Sequence, residues 1–172
     1  MTAADDPLDP VYETELHLPT FALATAVYAE RADGAILLLQ RAEGTAMAGT
    51  YFLPGGLVDP GEHPFEAAVR ELREEAGFEL AGPPTMVGCY PMWVYGRDML
   101  QLSFCGPIVG DGEVAISHEH TNHRWVLPDE YAATFTPEAI ARRSGGDERI
   151  ARLLGHIGAD AERYLQLRSR LR

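Results

Sequence analysis

The chain of 172 residues is long enough for one domain with a sizeable core, and 46% apolar against 23% charged residues is ordinary globular usage, which excludes a largely disordered protein. A formal net charge of −12 would repel a phosphate backbone, so nucleic-acid binding through a basic surface is not expected. A small polyphosphate stays compatible with that charge if metal ions bridge the like charges.

Residues 1–16 read as a flexible acidic tail. Met1–Pro10 has no apolar run, so no signal peptide is expected, and no stretch is long enough to span a bilayer. The expectation is a cytoplasmic protein without membrane partners. Residues 17–172 read as a single domain. Thr20–Glu30 and Ala35–Arg41 are apolar runs on either side of the turn signal Ala32-Asp33-Gly34, and together predict a hairpin over 20–41. Tyr51-Phe52-Leu53 predicts a short strand stopped by Pro54-Gly55-Gly56. The clearest helix follows, with Pro64 near its start and Gly77 at its end. Phe65, Ala68, Val69, Leu72 and Ala76 form its apolar stripe. Thr85–Val94 and Met99–Ile108 predict a second hairpin turning at Gly96-Arg97-Asp98, and His123–Leu127 a further strand. Helices are expected over Pro137–Arg143, Asp147–His156 and from Ala159 onward, either covering the sheet or forming a homodimer interface. Strands on both sides of a central helix point to an α+β or α/β sandwich. Cys89 and Cys105 lack CxxC spacing and read as a reduced pair.

The chemistry concentrates on the helix. With Glu71 at the origin, Glu74 lies near −60° and Glu75 near +40°, so three carboxylates crowd one arc (at about 100° per residue). Like charges at these spacings repel, and the C-terminal end of the macrodipole opposes them as well. Arg70 offers relief by pairing with Glu66 or Glu74. Carboxylates beside a glycine pair with unobstructed carbonyls suit a hard divalent cation.

Residues 56–78, GLVDPGEHPFEAAVRELREEAGF, resemble the Nudix box, with matches at Gly56, Glu62, Arg70, Glu71, Leu72, Glu74, Glu75, Gly77 and Phe78. The lead-in Gly49–Gly56 is similar to the family's, with Tyr51 where a Trp is frequent; Glu119, Arg124-Trp125-Val126 and Asp129-Glu130 resemble its closing strand. The resemblance covers about 20–132 and leaves the C-terminal helices, about 136–172, outside it.

That resemblance implies an α/β/α sandwich with a mixed central sheet and a loop-helix-loop box. It implies an Mg²⁺-dependent hydrolase, with Mn²⁺ as a substitute, in which a metal-activated water cleaves a phosphoanhydride bond of a nucleoside triphosphate or an ADP-ribose-like nucleotide sugar. Carried over by position, Glu71, Glu74 and Glu75 are metal-site residues, and the Gly55 carbonyl is a further ligand. Arg70 and Glu62 would brace the helix and orient the glutamates. Glu119 would be a metal ligand or the base; Glu74 and Glu119 are not separated for that second role. Weaker substrate candidates are Arg41, Tyr51, Trp93 with Tyr95, and Arg97. His118, His120 and His123 cluster in sequence, but spacing in a loop is weak evidence for a transition-metal site. Two other readings are a catalytically silent nucleotide-binding or regulatory module, which typically lacks box glutamates, and an isomerase of isoprenoid diphosphates, for which no Cys/His metal motif is evident.

Overall fold

A computed structural model describes residues 20–45, 47–94 and 96–171; the expected tail, 1–16, and Tyr95 lie outside the described residues. In chain order it contains β1 (Ala22–Glu30), β2 (Ile36–Arg41), β3 (Tyr51–Phe52), α1 (Pro64–Ala76), β4 (Thr85–Val94), β5 (Arg97–Pro107), β6 (His120–Val126), α2 (Pro128–Ala132), a 3₁₀ turn at Ala133–Phe135, α3 (Pro137–Ser144) and α4 (Glu148–Leu171). β1 runs parallel to β5, while β2–β6, β2–β3 and β4–β5 are antiparallel, so the sheet is mixed.

The hairpin expected over 20–41 closes only at its base. β1 and β2 pair at Glu30 and Ile36 and then diverge. The chain from β3 onward fills the wedge. β3 pairs with β2 through Tyr51 and Phe52. Beyond it, Val27 N–H donates to the Pro54 carbonyl and Thr25 N–H to the Gly56 carbonyl, each at 2.8 Å. A Cβ on Gly55 would lie 2.0 Å from the Thr25 carbonyl oxygen, so only glycine lets the segment come this close to β1.

Strand alternation divides the sheet into two faces. One carries Val27 and Ala29 of β1, Leu37 and Leu39 of β2 and Phe104 of β5, packed on Ala68, Leu72 and Ala76 of α1. The other carries Tyr28, Ile36, Leu38, Tyr90 and Cys105, packed on Tyr131 of α2 and Ile157, Ala161 and Tyr164 of α4. Helices on both faces make the expected α/β/α sandwich. α1 starts on a capping box: His63 Nδ1 accepts from Phe65 N–H at 3.2 Å and the Glu66 carboxylate accepts from His63 N–H at 3.3 Å. Its end is a left-handed Gly77. Of the expected stripe, Ala68, Leu72 and Ala76 are buried; Phe65 is 41% exposed, although its ring meets Phe104 edge-on.

The C-terminal helices differ from expectation. Glu148–Leu171 is one helix rather than two, running straight through Gly155 and Gly158. Gly158 has a packing reason, because a Cβ there would lie 2.7 Å from Phe135 Cβ; nothing approaches a Cβ on Gly155 within 4 Å. The short α2, holding Asp129 and Glu130, follows β6 rather than extending it. α4 lies over β4 and thus covers the sheet.

Two substitutions separate these glycines. Gly155→Ala should raise the melting temperature by about 2–4 °C through helix propensity alone. Gly158→Ala should lower it, since Phe135 has to move; thermal unfolding followed by circular dichroism checks both signs.

Candidate active site

A cavity of about 480 Å³ opens between the Gly55-Gly56 wedge, the end of α1 and the sheet face beneath α4. At one end its wall holds Arg41, Gly55, Gly56, Glu71, Glu75, Glu119 and His120. Three carboxylates from two separate parts of the chain therefore share one hollow.

Arg70 organises the helix side. Its guanidinium grips Glu62 through two bonds, Nε to Oε1 at 2.8 Å and NH2 to Oε2 at 2.9 Å. The same group reaches Glu71 at 2.8 Å, Glu74 at 3.2 Å and the Leu57 carbonyl at 3.0 Å. Five acceptors for one planar fork fix both the guanidinium and the loop before α1. The Arg70 hydrogen bonds hold the Glu62 carboxyl down at about 2. Gly56 leaves room for Glu71: a Cβ there would sit 2.5 Å from its carboxylate.

Glu75 is the anomaly. It is 5% exposed, yet it holds a carboxylate. Gly55 N–H donates to its Oε2 at 2.8 Å, and His120 Nε2 stands 3.6 Å from its Oε1. Burial pushes the Glu75 carboxyl up to about 8; the Gly55 bond opposes this, while Glu71 and Glu119 add to it. Glu71 is raised too, again chiefly by burial, with Arg70 opposing. His120 offers no compensating charge, because burial and then Arg41 lower its pKa. Arg41 points at this end with a buried Nε that has no partner among the described residues.

Pro54 and Gly56 give their carbonyls to β1, whereas the Gly55 carbonyl accepts no hydrogen bond among the described residues. With Glu71, Glu75 and Glu119 it makes an all-oxygen set around one hollow, the donor chemistry of a hard divalent cation. Among the described residues no three Asp, Glu, His or Cys side chains converge closely enough to grip an ion as they stand. What fits the cation is a buried carboxylate facing a cavity with no protein cation bonded to it.

The other expected residues are dispersed. Glu74 is exposed, pairs with Arg70 and does not border the cavity. Tyr51 lies under the Arg124 guanidinium, at 4.4 Å, beside a different depression. Trp93 stacks with Arg149 at 4.4 Å in a third hollow, and Arg97 is exposed at the β4–β5 turn. Of the weaker substrate candidates among the described residues, only Arg41 borders the cavity. His118 is exposed and His123 pairs with Leu39 within the sheet, so the three histidines do not form a centre. His120, weighed from sequence only as part of a histidine cluster, stands beside Glu75; Gln101 and Asp160, deeper in the cavity, carry no sequence motif of a site. Alternation along β5 was the available signal for Gln101, a polar residue among apolar neighbours.

Residues 20–144 match the model of the NUDIX domain family. A curated relative from Bacillus subtilis (strain 168) is 38% identical over 85 residues, 49% of this chain and 55% of that protein. The chain thus spans about half the length of that relative. A second, from Escherichia coli (strain K12) and named CTP pyrophosphohydrolase, is 38% identical over 98 residues, 57% of this chain and 70% of that protein. The crystal structure of a MutT protein from Methanosarcina mazei Go1 superimposes with a TM-score of 0.64 at 25% identity, covering 90% of this chain and 99% of that one.

The buried carboxyl predicts a pH effect on stability. A group whose pKa rises on folding, here from its ordinary 4.5 to about 8, stabilises fully below the lower value and loses that contribution as pH climbs through the higher one. Glu75→Gln removes the group. Without divalent cations, the melting temperature of the parent should therefore drop by several degrees relative to Glu75→Gln between pH 5 and pH 8.5. Parallel curves would contradict the burial of this carboxyl.

Proposed function

The chain belongs to the NUDIX domain family, and from that premise we propose that it is a pyrophosphohydrolase cleaving a phosphoanhydride bond of a nucleoside diphosphate derivative, with a nucleoside triphosphate as the first candidate substrate. The observation that carries this reading is the buried Glu75, sharing one cavity with Glu71 and Glu119 beside Gly55-Gly56. A carboxylate is stable in such a place only with a cation to compensate it. That the E. coli relative is a CTP pyrophosphohydrolase supports a triphosphate, and the presence of all the box glutamates argues against a silent binding module.

Glu71, Glu75 and the Gly55 carbonyl would hold Mg²⁺, with Mn²⁺ as a substitute, and Glu119 would complete the set. When bound, the cation lowers the pKa of water and neutralises charge that grows on the phosphoryl oxygens. The chain's own residues do the rest. Arg70, clamped by Glu62, orients Glu71. Gly55 N–H fixes one oxygen of Glu75 and leaves the other free toward His120. Arg41 Nε, without a partner among the described residues, is available to a phosphate. Of the two candidates for the proton acceptor, Glu119 borders the cavity and Glu74 does not, which supports Glu119 in that role.

The test is a panel assay with Mg²⁺ or Mn²⁺ and nucleoside triphosphates, their oxidised forms, ADP-ribose and other nucleotide sugars. It scores phosphate and pyrophosphate release. Metal-dependent turnover is expected, with kcat down at least about a hundredfold in Glu75→Gln while the fold is kept. Gly56→Ala, whose Cβ collides with the Glu71 carboxylate, should weaken Mn²⁺ affinity about 10–100-fold. Parental turnover in Glu75→Gln would overturn the assignment.

A further inference from the structure

The inner end of the cavity has a chemistry of its own. Its floor is the sheet face under α4. Ala24 and Ala26 of β1 stand opposite Gln101 and Ser103 of β5, which in turn stand opposite Tyr90 and Gly88 of β4. Ala24 and Ala26 are too small to fill the space, so this face keeps a hollow. Leu153, Ile157 and Asp160 of α4 make the facing wall. α4 lies wholly beyond residues 20–144, the part that matches the family.

Two polar groups meet the hollow differently. Asp160, 2% exposed, is satisfied: Ser103 Oγ donates to Oδ1 at 2.7 Å and Tyr28 Oη to Oδ2 at 3.0 Å. Gly88 leaves room for it, since a Cβ there would lie 2.5 Å from Oδ1. These bonds tie α4 to the sheet and set the width of the hollow. Gln101, 7% exposed, has little protein bonding of its own. Its Nε2 has only a long contact, 3.4 Å, to the neighbouring Leu102 carbonyl, and its Oε1 accepts nothing among the described residues. A buried amide normally has partners for both ends. Here the residue borders a cavity whose other end is the phosphate chemistry.

We propose that Gln101 reads the nucleobase of the substrate, offering its amide as one donor and one acceptor to adjacent groups on the base edge, in a slot that α4 closes. This rests on the function proposed above and adds the orientation: base inward under α4, phosphates outward at Glu71 and Glu75. A side-chain amide presents a matched donor–acceptor pair, the pattern that planar heterocycles carry on their hydrogen-bonding edges. A site built to bond a polar group rejects ligands that leave it unpaired.

The test measures binding of non-hydrolysable α,β-methylene analogues of the four common nucleoside triphosphates by calorimetry, with turnover of the natural triphosphates alongside. The parent should prefer one base by tenfold or more. Gln101→Leu, similar in size and apolar, should remove most of that preference by weakening the preferred base about 10–100-fold, while Mn²⁺ affinity stays unchanged. Gln101→Glu, which keeps the acceptor and loses the donor, should re-rank the bases; thermal melting of both variants verifies the fold. Preference kept in Gln101→Leu, or equal binding of all four by the parent, overturns this inference and leaves the hydrolase reading intact. No binding and no turnover of any nucleotide by the parent overturns both.

Discussion

A carboxylate taken out of water has to be compensated, and the placement of Glu75 makes that the governing constraint of this molecule. The residue sits on the inner side of α1, 5% exposed, with one backbone N–H as its only side-chain hydrogen bond among the described residues. That N–H is in position only because the chain after β3 is wedged between β1 and β2, and the wedge forms only because Gly55 has no side chain to strike Thr25. The open hairpin, the glycine pair and the buried acid are thus one arrangement. Arg70 does not neutralise it; its bonds go to Glu62, Glu71 and Glu74.

The two faces of the sheet have been put to different uses. Under α1, buried residues of β1, β2 and β5 pack directly on Ala68, Leu72 and Ala76 and anchor the carboxylate-bearing helix. Under α4, alanines leave room, and the helix is held off by a polar contact, Asp160 to Ser103 and Tyr28, rather than by apolar packing alone. Anchorage on one side positions charge, and space on the other admits a ligand. A satisfied polar bridge fixes a distance more sharply than interchangeable apolar side chains do.

Much of this was legible in the sequence. The spacing of Glu71, Glu74 and Glu75 placed them on one arc of a helix, and Pro64 and Gly77 marked its ends, because helical period and cap chemistry are local. What local rules could not separate was the fate of the three acids. A difference of about 100° turns Glu75 inward and Glu74 out to solvent and Arg70, and only the packed partner surface decides which. The hairpin over 20–41 was over-extended for the same reason: two apolar runs around a turn predict pairing, but not a third segment inserted between them. α4 was cut in two because Gly155 and Gly158 resemble a break; the close approach of Phe135 that requires Gly158 is a tertiary fact. Gln101 carries no motif and His120 only a weak histidine spacing, and their meaning lies in the cavity they share with residues distant in sequence.

The account stands or falls on whether the Glu71–Glu75–Gly55 corner is where the charge of a divalent cation belongs. Anomalous diffraction from crystals grown with Mn²⁺ tests this most directly. The predicted result is a peak within about 2.0–2.3 Å of carboxylate oxygens of Glu71 and Glu75, next to the Gly55 carbonyl. A corner without a peak while Mn²⁺ sits elsewhere, for example on the exposed Glu74 alone, would contradict it.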